Sequence, residues 1–500
     1  MRYYLAMIGV LGLMSVCSGG LNKIDQSLLD SRGMTLHTGA LYGEAINGEA
    51  FQFDAIRTFN GYQYAVYWVA DYSLGKHPYH LAVARRKVGD SHWEIADLKD
   101  ALFLNGIFRG KIEDAHDTAS LGIDEIDGTI HLSYDMHDND LNYRVSAPGV
   151  ATHPKNVKWG PEVFGKRINH LGDSGVLHSV TYPMFLPTPK HDLELFIRLG
   201  VSGNGSNWIF DYDGKTHTWG KGRQIDDGTT GDYAFTDLAG KQRINKVRNS
   251  YPNGYNYSPD GRLFTTWVWR DGSPFGSGSN HDICFAYSDD AGFTWKNNSG
   301  QTITNVDGKD GLPRRITVNS PGIAVFPISQ YFALMNTQAQ AVDRRGQLHT
   351  LMYHRDPGTT FHSVWDPAQC SYYHSWRDAK GTWHTTVLSR EVIGSSTGSR
   401  PRMVFDKHDN AYAILTVRVL SDANTNGIYF DHGKLQIAEA TAKSGWSDWK
   451  IVASEDGPFV NEPLVDYGRA KEGVLSVMMQ KTPTRSLQAT DIVVYEYKMQ

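Results

Sequence analysis

One local pattern recurs along almost the whole chain and restricts what it can fold into. A short run of alternating apolar and polar residues meets an Asp-Gly or Asn-Gly turn, and a second alternating run follows. Asn60-Gly61 precedes YQYAVYWVA, Asp127-Gly128 precedes TIHLSYDMH, and Asp260-Gly261 precedes RLFTTWVW. Arg345-Gly346 plays the same part before QLHTLMYH. Such dipeptides between alternating segments are the strongest short-range hairpin signal. The Val, Thr, Tyr and Trp content of the runs suits strands. Helical periodicity is scarce. The 50 glycines among 500 residues follow from this pattern, because glycine accepts positive φ in tight turns.

The hairpins group into larger units, each ending near a tryptophan: Trp93, Trp159, Trp219, Trp295, Trp383 and Trp446. Successive gaps are 66, 60, 76, 88 and 63 residues. A last unit, from about Glu462 to Gln500, lacks the tryptophan and ends in DIVVYEYKM. About seven units of roughly four strands predict an all-β chain, a seven-bladed β-propeller. The gaps exceed the ~40–45 residues of a compact blade, so long loops are expected, gathered where they can build a site. A β-sandwich pair or a β-helix is the weaker reading, since the irregular gaps do not suit a solenoid.

Composition narrows the function classes. Charged residues are 21%, the net charge is -5, and aromatics are 12%, so a large core is available and nucleic acid is not the expected partner. Three cysteines cannot staple a chain of this size. Residues 1–18 combine Arg2, the apolar run Leu5 to Met14 and the small residues near Cys17-Ser18, a signal-peptide pattern too short to span a membrane. A lipid-modified Cys17 is the weaker alternative, because Val16 fits poorly before it. The expectation is a secreted or periplasmic protein, with residues 19–500 as a single catalytic domain, monomeric and not in the membrane.

Ser288-Asp289-Asp290-Ala291-Gly292-Phe293-Thr294-Trp295 fits Ser-x-Asp-x-Gly-x-Thr-Trp and resembles the Asp-box, or BNR, hairpin of sialidase-like propellers. Its expected role is structural: Asp290 and Gly292 make the turn and Trp295 packs between sheets.

The candidate chemistry lies elsewhere. In DAHDTASLGIDEIDGTIHLSYDMHDND, His116 and His137 bracket a hairpin, which places both at one rim, among Asp114, Asp117, Asp135, Asp138 and Asp140. His131, mid-strand, is expected to pack. Tyr182 precedes a proline in SVTYPMF, and Arg198 sits inside the apolar run LELFIRLG. A guanidinium there needs an anionic partner or solvent. Two histidines, a tyrosine and an arginine suit β-elimination on a uronic acid. One group takes the C5 proton, another protonates the departing O4, and the arginine neutralises the carboxylate so that charge can spread into it.

These segments resemble the ulvan lyases of polysaccharide lyase families twenty-four and twenty-five, with spacing closer to twenty-five. The resemblance covers nearly the whole chain after the leader. It implies a seven-bladed propeller with His116 and Tyr182 as the acid–base pair, Arg198 as carboxylate neutraliser and His137 as a supporting or second catalytic group. Which of His116 and Tyr182 is the base stays open at this point. The substrate implied is ulvan, an anionic sulfated polysaccharide of rhamnose and uronic acid. In KVRNSYPNGYNYSPDG, Arg248, Asn249 and Tyr251 are candidate substrate contacts. Within LMYHRDPGTTFHSVWDPAQCSYYHSW, His354, His362, Cys370 and His374 are a candidate structural Zn²⁺ set, although catalysis requires no cofactor. A propeller glycoside hydrolase acting on rhamnose–glucuronate linkages is the alternative activity, and a non-catalytic carbohydrate-binding propeller a third.

Overall fold

The computed structural model describes residues 20–36, 40, 45–49, 51–70, 79–103, 113–272, 276–359, 366–393, 399–418, 433–485 and 487–500. Its regular structure is nearly all antiparallel strand, joined by tight turns and by longer loops. The Asn-Gly signal does what its chemistry demands: Asn60 and Gly61 take φ of 49° and 75°, and strand Ile56–Phe59 pairs back onto Tyr62–Ala70. Two positive φ values are the requirement of the hairpin turn that matches strand twist.

The ladders sort into sets that follow one another along the chain. Strands Ile56–Phe59, Tyr62–Ala70, Tyr79–Lys87 and Glu94–Leu102 form one set. Strands Ala119–Ile123, Ile130–Tyr134 and Tyr143–Val145 form the next. A third contains Val180–Pro187, Leu193–Val201 and Asn204–Asp213, edged by Thr218–Trp219. Arg248–Tyr257, Leu263–Asp271, Asn280–Ser288 and Thr294–Lys296 follow. Then come Ala339–Val342, Leu348–Arg355, Cys370–Arg377 and Trp383–Val387. Arg402–Phe405, Ala411–Arg418 and Gly433–Ala440 complete a further ladder with the start of Lys450–Val465. The end of that long strand crosses into another ladder with Val474–Lys481, Thr490–Lys498 and Asn22–Gly33.

First strands of successive sets face one another: Ala119–Ile123 meets Val180–Pro187, Arg248–Tyr257 meets Ala339–Val342, and the latter meets Arg402–Phe405. Sheets radiating from a ring of first strands are a β-propeller. Apolar residues of neighbouring sheets fill the space between, as where Ile209, Trp267, Trp269 and Trp295 share one buried cluster. The ring is closed by pairing Asn22–Gly33 with Thr490–Lys498, which leaves neither sheet edge open there. Buried Asp466 adds a seam. It accepts hydrogen bonds from Thr58 N (2.9 Å), Thr58 Oγ1 (2.6 Å), Gln63 Nε2 (2.8 Å) and Arg469 N (2.9 Å).

The Asp-box hairpin forms as its residues require. Asp290 accepts from Thr294 N and Thr294 Oγ1, both at 2.8 Å, and Gly292 N donates to Ser288 Oγ at 2.8 Å. Ala291 and Gly292 both have positive φ, and Trp295 is buried between sheets. Cys284 and Cys370 are buried and unpaired. The leader-like segment 1–18 lies outside the described residues. Among those described, no helix is long and apolar enough to cross a membrane.

Candidate active site

The site is built where first strands begin. His116 immediately precedes Ala119–Ile123 and Tyr182 lies early in Val180–Pro187. Tyr251 lies early in Arg248–Tyr257, and Asn336 and Arg400 sit just ahead of their own first strands. Second strands contribute Arg198 and Arg270 from the ends away from their hairpins.

The structure brings the four proposed catalytic side chains together. The His116 and His137 rings stack at 4.7 Å, and Tyr182 lies 6.0 and 6.3 Å from them. The Arg198 guanidinium sits 4.8 Å over the Tyr182 ring. Phe51 stacks on both His116 (4.6 Å) and Tyr182 (4.4 Å) and so spaces the two. Tyr182 is held in the left-handed region, with φ of 57°, at a break in register between Thr181 and Met184. A bulge of that kind re-aims a side chain out of the pleat, and the strain it costs is tolerated where a site demands it.

A short strand, His137–Asn139, leans out of its own set and pairs with Val180 and Thr181. It carries His137 and Asp138 across to Tyr182 and Arg198. Asp114 Oδ2 lies 2.8 Å from His137 Nδ1, and Oδ1 lies 3.4 Å from His116 Nδ1. The carboxylate therefore faces both Nδ1 atoms and fixes the attitude of both rings. Burial alone would raise the Asp114 carboxyl, but the two imidazoles outweigh it and hold the group well below the usual carboxylate range. Burial drives the His116 imidazole down to about 4, with the neighbouring His137 adding to the shift and Asp114 opposing it. His116 is neutral at ordinary pH.

Arg198 is fully buried and accounts for its charge locally. Nη2 donates to Asp138 Oδ1 at 2.7 Å and to Thr181 Oγ1 at 3.0 Å, and Nη1 reaches Tyr251 Oη at 3.4 Å. Arg270 Nη1 donates to the same phenol oxygen at 3.0 Å, with its guanidinium 4.2 Å from the ring. Asn280 and Asn336 hold the rest of Arg270 at 2.8 and 2.6 Å. Burial pushes the Tyr251 phenol up, but the guanidiniums of Arg270 and Arg198, with hydrogen bonds from Ser202 and Asn249, bring it down to about 8. Arg400 closes the other side: it lies 4.8 Å over Phe51, donates to Asn336 O at 2.8 Å, and contacts Glu462 at 3.4 Å.

Other expected site residues lie elsewhere. Arg248 is fully buried and spends its donors on Asp271 (3.0 Å) and the carbonyls of Gly231 and Asn245. It is three residues from Tyr251 and so points to the opposite face of the strand. Asn249 shares the face of Tyr251 but stands behind it, where Oδ1 accepts from Gly203 N. His131 packs as expected, 2.6 Å from Tyr143 Oη and 2.7 Å from Thr129 Oγ1, and burial lowers it to about 3.

The described members of the Zn²⁺ set do not assemble. Cys370 and His374 share a strand face but lie four residues apart, a spacing of about 13 Å that no ion bridges. His354 pairs with Ser371, which puts it on the face opposite Cys370, where it stacks on Tyr373 at 4.0 Å. His374 instead meets His349 at 2.9 Å in a cage of tryptophans. His362 lies outside the described residues. Among the described residues, the one group whose ligand atoms converge is Asp114, His116 and His137, the site itself.

Arg270, Phe51, Arg400 and Glu462 escaped the sequence reading. Arg270 carries the same signal as Arg198, an arginine closing an apolar run before a glycine turn: LFTTWVWRDG beside LELFIRLG.

The fold and the site define a repeat-built propeller whose first and second strands, with one short strand between sets, gather two imidazoles, two tyrosines and three guanidiniums at one place. Residues 62–391 match the model of a BNR repeat-containing family, and the chain belongs to that family. Among curated proteins it is 24% identical over 454 residues to an ulvan lyase, long isoform, of Alteromonas sp., covering 77% of this chain and 40% of the relative. It is 25% identical over 394 residues to an ulvan lyase, long isoform, of Pseudoalteromonas sp. (strain PLSV), covering 66% of this chain and 35% of the relative. The chain thus spans about two fifths or less of the length of these relatives. In fold it is similar to the polysaccharide lyase Uly1, with TM-score 0.70 and 17% identity, covering 96% of this chain and 100% of that one. It is also similar to an ulvan lyase solved with -[GlcA(1-4)Rha3S]-, with TM-score 0.59 and 14% identity, covering 95% and 96%.

Proposed function

We propose that this protein is a polysaccharide lyase that cleaves ulvan by β-elimination at its uronic acid, leaving a 4,5-unsaturated uronate end. The observation that carries the reading is the joint placement of neutral His116, strained Tyr182 and buried Arg198 in one side-chain cluster. In this scheme the uronate carboxylate is drawn to the Arg198–Arg270 pair, which spreads the charge that develops when C5 loses its proton. His116, kept neutral by burial, accepts that proton through Nε2 while Asp114 faces its Nδ1. The C5 electrons form the C4–C5 double bond, the C4–O4 bond breaks, and the Tyr182 hydroxyl protonates O4. His137, steadied by Asp114, faces the same sugar. The curated relatives named ulvan lyase support the substrate class. The nearby carboxylates Asp114 and Asp138 are committed to histidine and arginine, which favours elimination over a hydrolase pair.

We read the seven strand sets as seven blades of one monomeric domain over residues 19–500. On the leader-like pattern of residues 1–18 we place the protein outside the cytoplasm; recovery of the uncleaved chain from the cytoplasm alone would refute that placement. The lyase reading is tested by incubating the full chain with ulvan and following ultraviolet absorbance of the unsaturated uronate. Absorbance should grow without water consumption, and Arg198→Lys and Tyr182→Phe should each lower turnover at least a hundredfold with the circular dichroism unchanged. Reducing ends without absorbance would refute elimination.

A further inference from the structure

A cavity of about 400 Å³ lies apart from the catalytic side chains but on the same strands. Phe53, Met184, Asn253, Gln338 and Arg402 line it, and each is two residues beyond Phe51, Tyr182, Tyr251, Asn336 and Arg400 of the site. Two residues of extended chain span about 6.6 Å, so the cavity adjoins the site along the ring of first strands. Its volume falls in the range of about 300–1,000 Å³ typical of small-ligand sites.

Its lining is unevenly charged. Five basic residues, Arg57, Arg344, Arg402, Lys407 and Lys471, face two acidic ones, Asp54 and Asp406. Asp406 is spent on its own turn, accepting from His408 N, Asn410 N and Asn410 Nδ2. Asp54 accepts from Phe185 N at 2.8 Å, and burial lifts its carboxyl to about 7 against the pull of Arg57 and Arg402, so it is about half ionised at neutral pH. Arg57 meets Glu125 at 3.1 Å, but Glu125 is also claimed by His191 at 2.8 Å. Among the described residues the buried Arg57 Nε has no hydrogen-bond partner. Lys471, on the cavity lining, has no ion-pair partner among the described residues; Arg57 repels it and Glu125 attracts it. Arg57 and Lys471 have Glu125 and the half-ionised Asp54 as nearby counter-charges, so positive charge stays in excess and an anion would settle there. Around them Phe53, Tyr255 and Tyr467 offer aromatic faces.

We propose that this cavity is a second binding site, for a carboxylated or sulfated sugar no larger than a disaccharide, anchored at Arg57 and Lys471. The cations account for the anionic group, and the rings for the apolar face of a pyranose. The site does not depend on the lyase reading, since occupancy of the cavity and turnover at the cleft are measured separately.

The test titrates glucuronate, and separately inorganic sulfate, into the full-length protein, Lys471→Glu and Lys471→Arg by calorimetry. Lys471 is exposed, so these variants keep the fold. Glucuronate should bind the wild type and Lys471→Arg alike and bind Lys471→Glu at least tenfold more weakly, with activity on ulvan the same in all three. An unchanged affinity in Lys471→Glu, or no binding to the wild type, would overturn the site. Sulfate binding without glucuronate binding would overturn the sugar as its ligand. Loss of activity together with binding in Lys471→Glu would overturn its separation from the cleft.

Discussion

Tyr251 offers a sharp check on the electrostatics of the cleft. Its phenol is buried between two guanidiniums and titrates at about 8 rather than the ordinary value of about 10. Two units correspond to about 2.7 kcal/mol of preference of the folded state for the phenolate, an order-of-magnitude figure. The sign follows from the direction. A depressed folded value makes the contribution fully present above about pH 10, and it is lost as pH falls through about 8. Relative to Tyr251→Phe, the wild type should gain stability between these values and gain nothing below them. Phenolate difference absorbance, read on the folded protein, should show one tyrosine ionising near pH 8. Tyr251→Phe should abolish that step, and Arg270→Gln should move it upward by removing the largest of the charges that lower it. If the step is absent in the wild type, or survives in Tyr251→Phe, the placement of Tyr251 between the Arg270 and Arg198 guanidiniums is wrong. The cleft should also lose attraction for an anionic substrate as Tyr251 ionises, so KM should rise above about pH 8 in the wild type and stay flatter in the phenylalanine variant.

Asp114→Asn should lower turnover by about ten- to a hundredfold, because both imidazoles lose the charge that orients them; steady-state rates on ulvan check this. Asp466→Ala should cost about 3 kcal/mol by leaving several buried donors without an acceptor, read as a lower denaturant midpoint in chemical unfolding. Asp290→Ala should cost about 1 kcal/mol in the same assay while leaving the rate per folded molecule unchanged, since Asp290 braces only its own turn.

The blades were legible because their information is local. An Asn-Gly turn, an alternating run and a tryptophan lie within a few tens of residues, and each is stated in the chain where it acts. Tyr182 and Arg198 were legible for a related reason: a tyrosine ahead of a proline and a guanidinium in an apolar run are anomalies on their own strands. Phe51, Arg400 and Glu462 carry no local anomaly. They join the site only because the ring brings residue 51 beside residues 400 and 116, and no spacing rule covers such distances. The metal set failed on geometry that strand parity alone omits: Cys370 and His374 share a face, but the rise of the strand separates them. Arg248 failed on parity itself, three steps from Tyr251.

The way the ring is sealed has a consequence for how activity is gained. Glu462 N donates to Gly48 O beside the cleft, and Asn22–Gly33 zips to Thr490–Lys498. The cleft therefore depends on contacts between chain segments more than four hundred residues apart. Each sheet can condense from neighbours in sequence, but the cleft cannot exist until the ring has shut. Pairings of such long range are slow to form. On refolding, strand content should recover first and catalysis later, in a single late step. Turnover is thus a clock for ring closure, and damage to the seam would first show as lost activity in a molecule whose sheets are still intact.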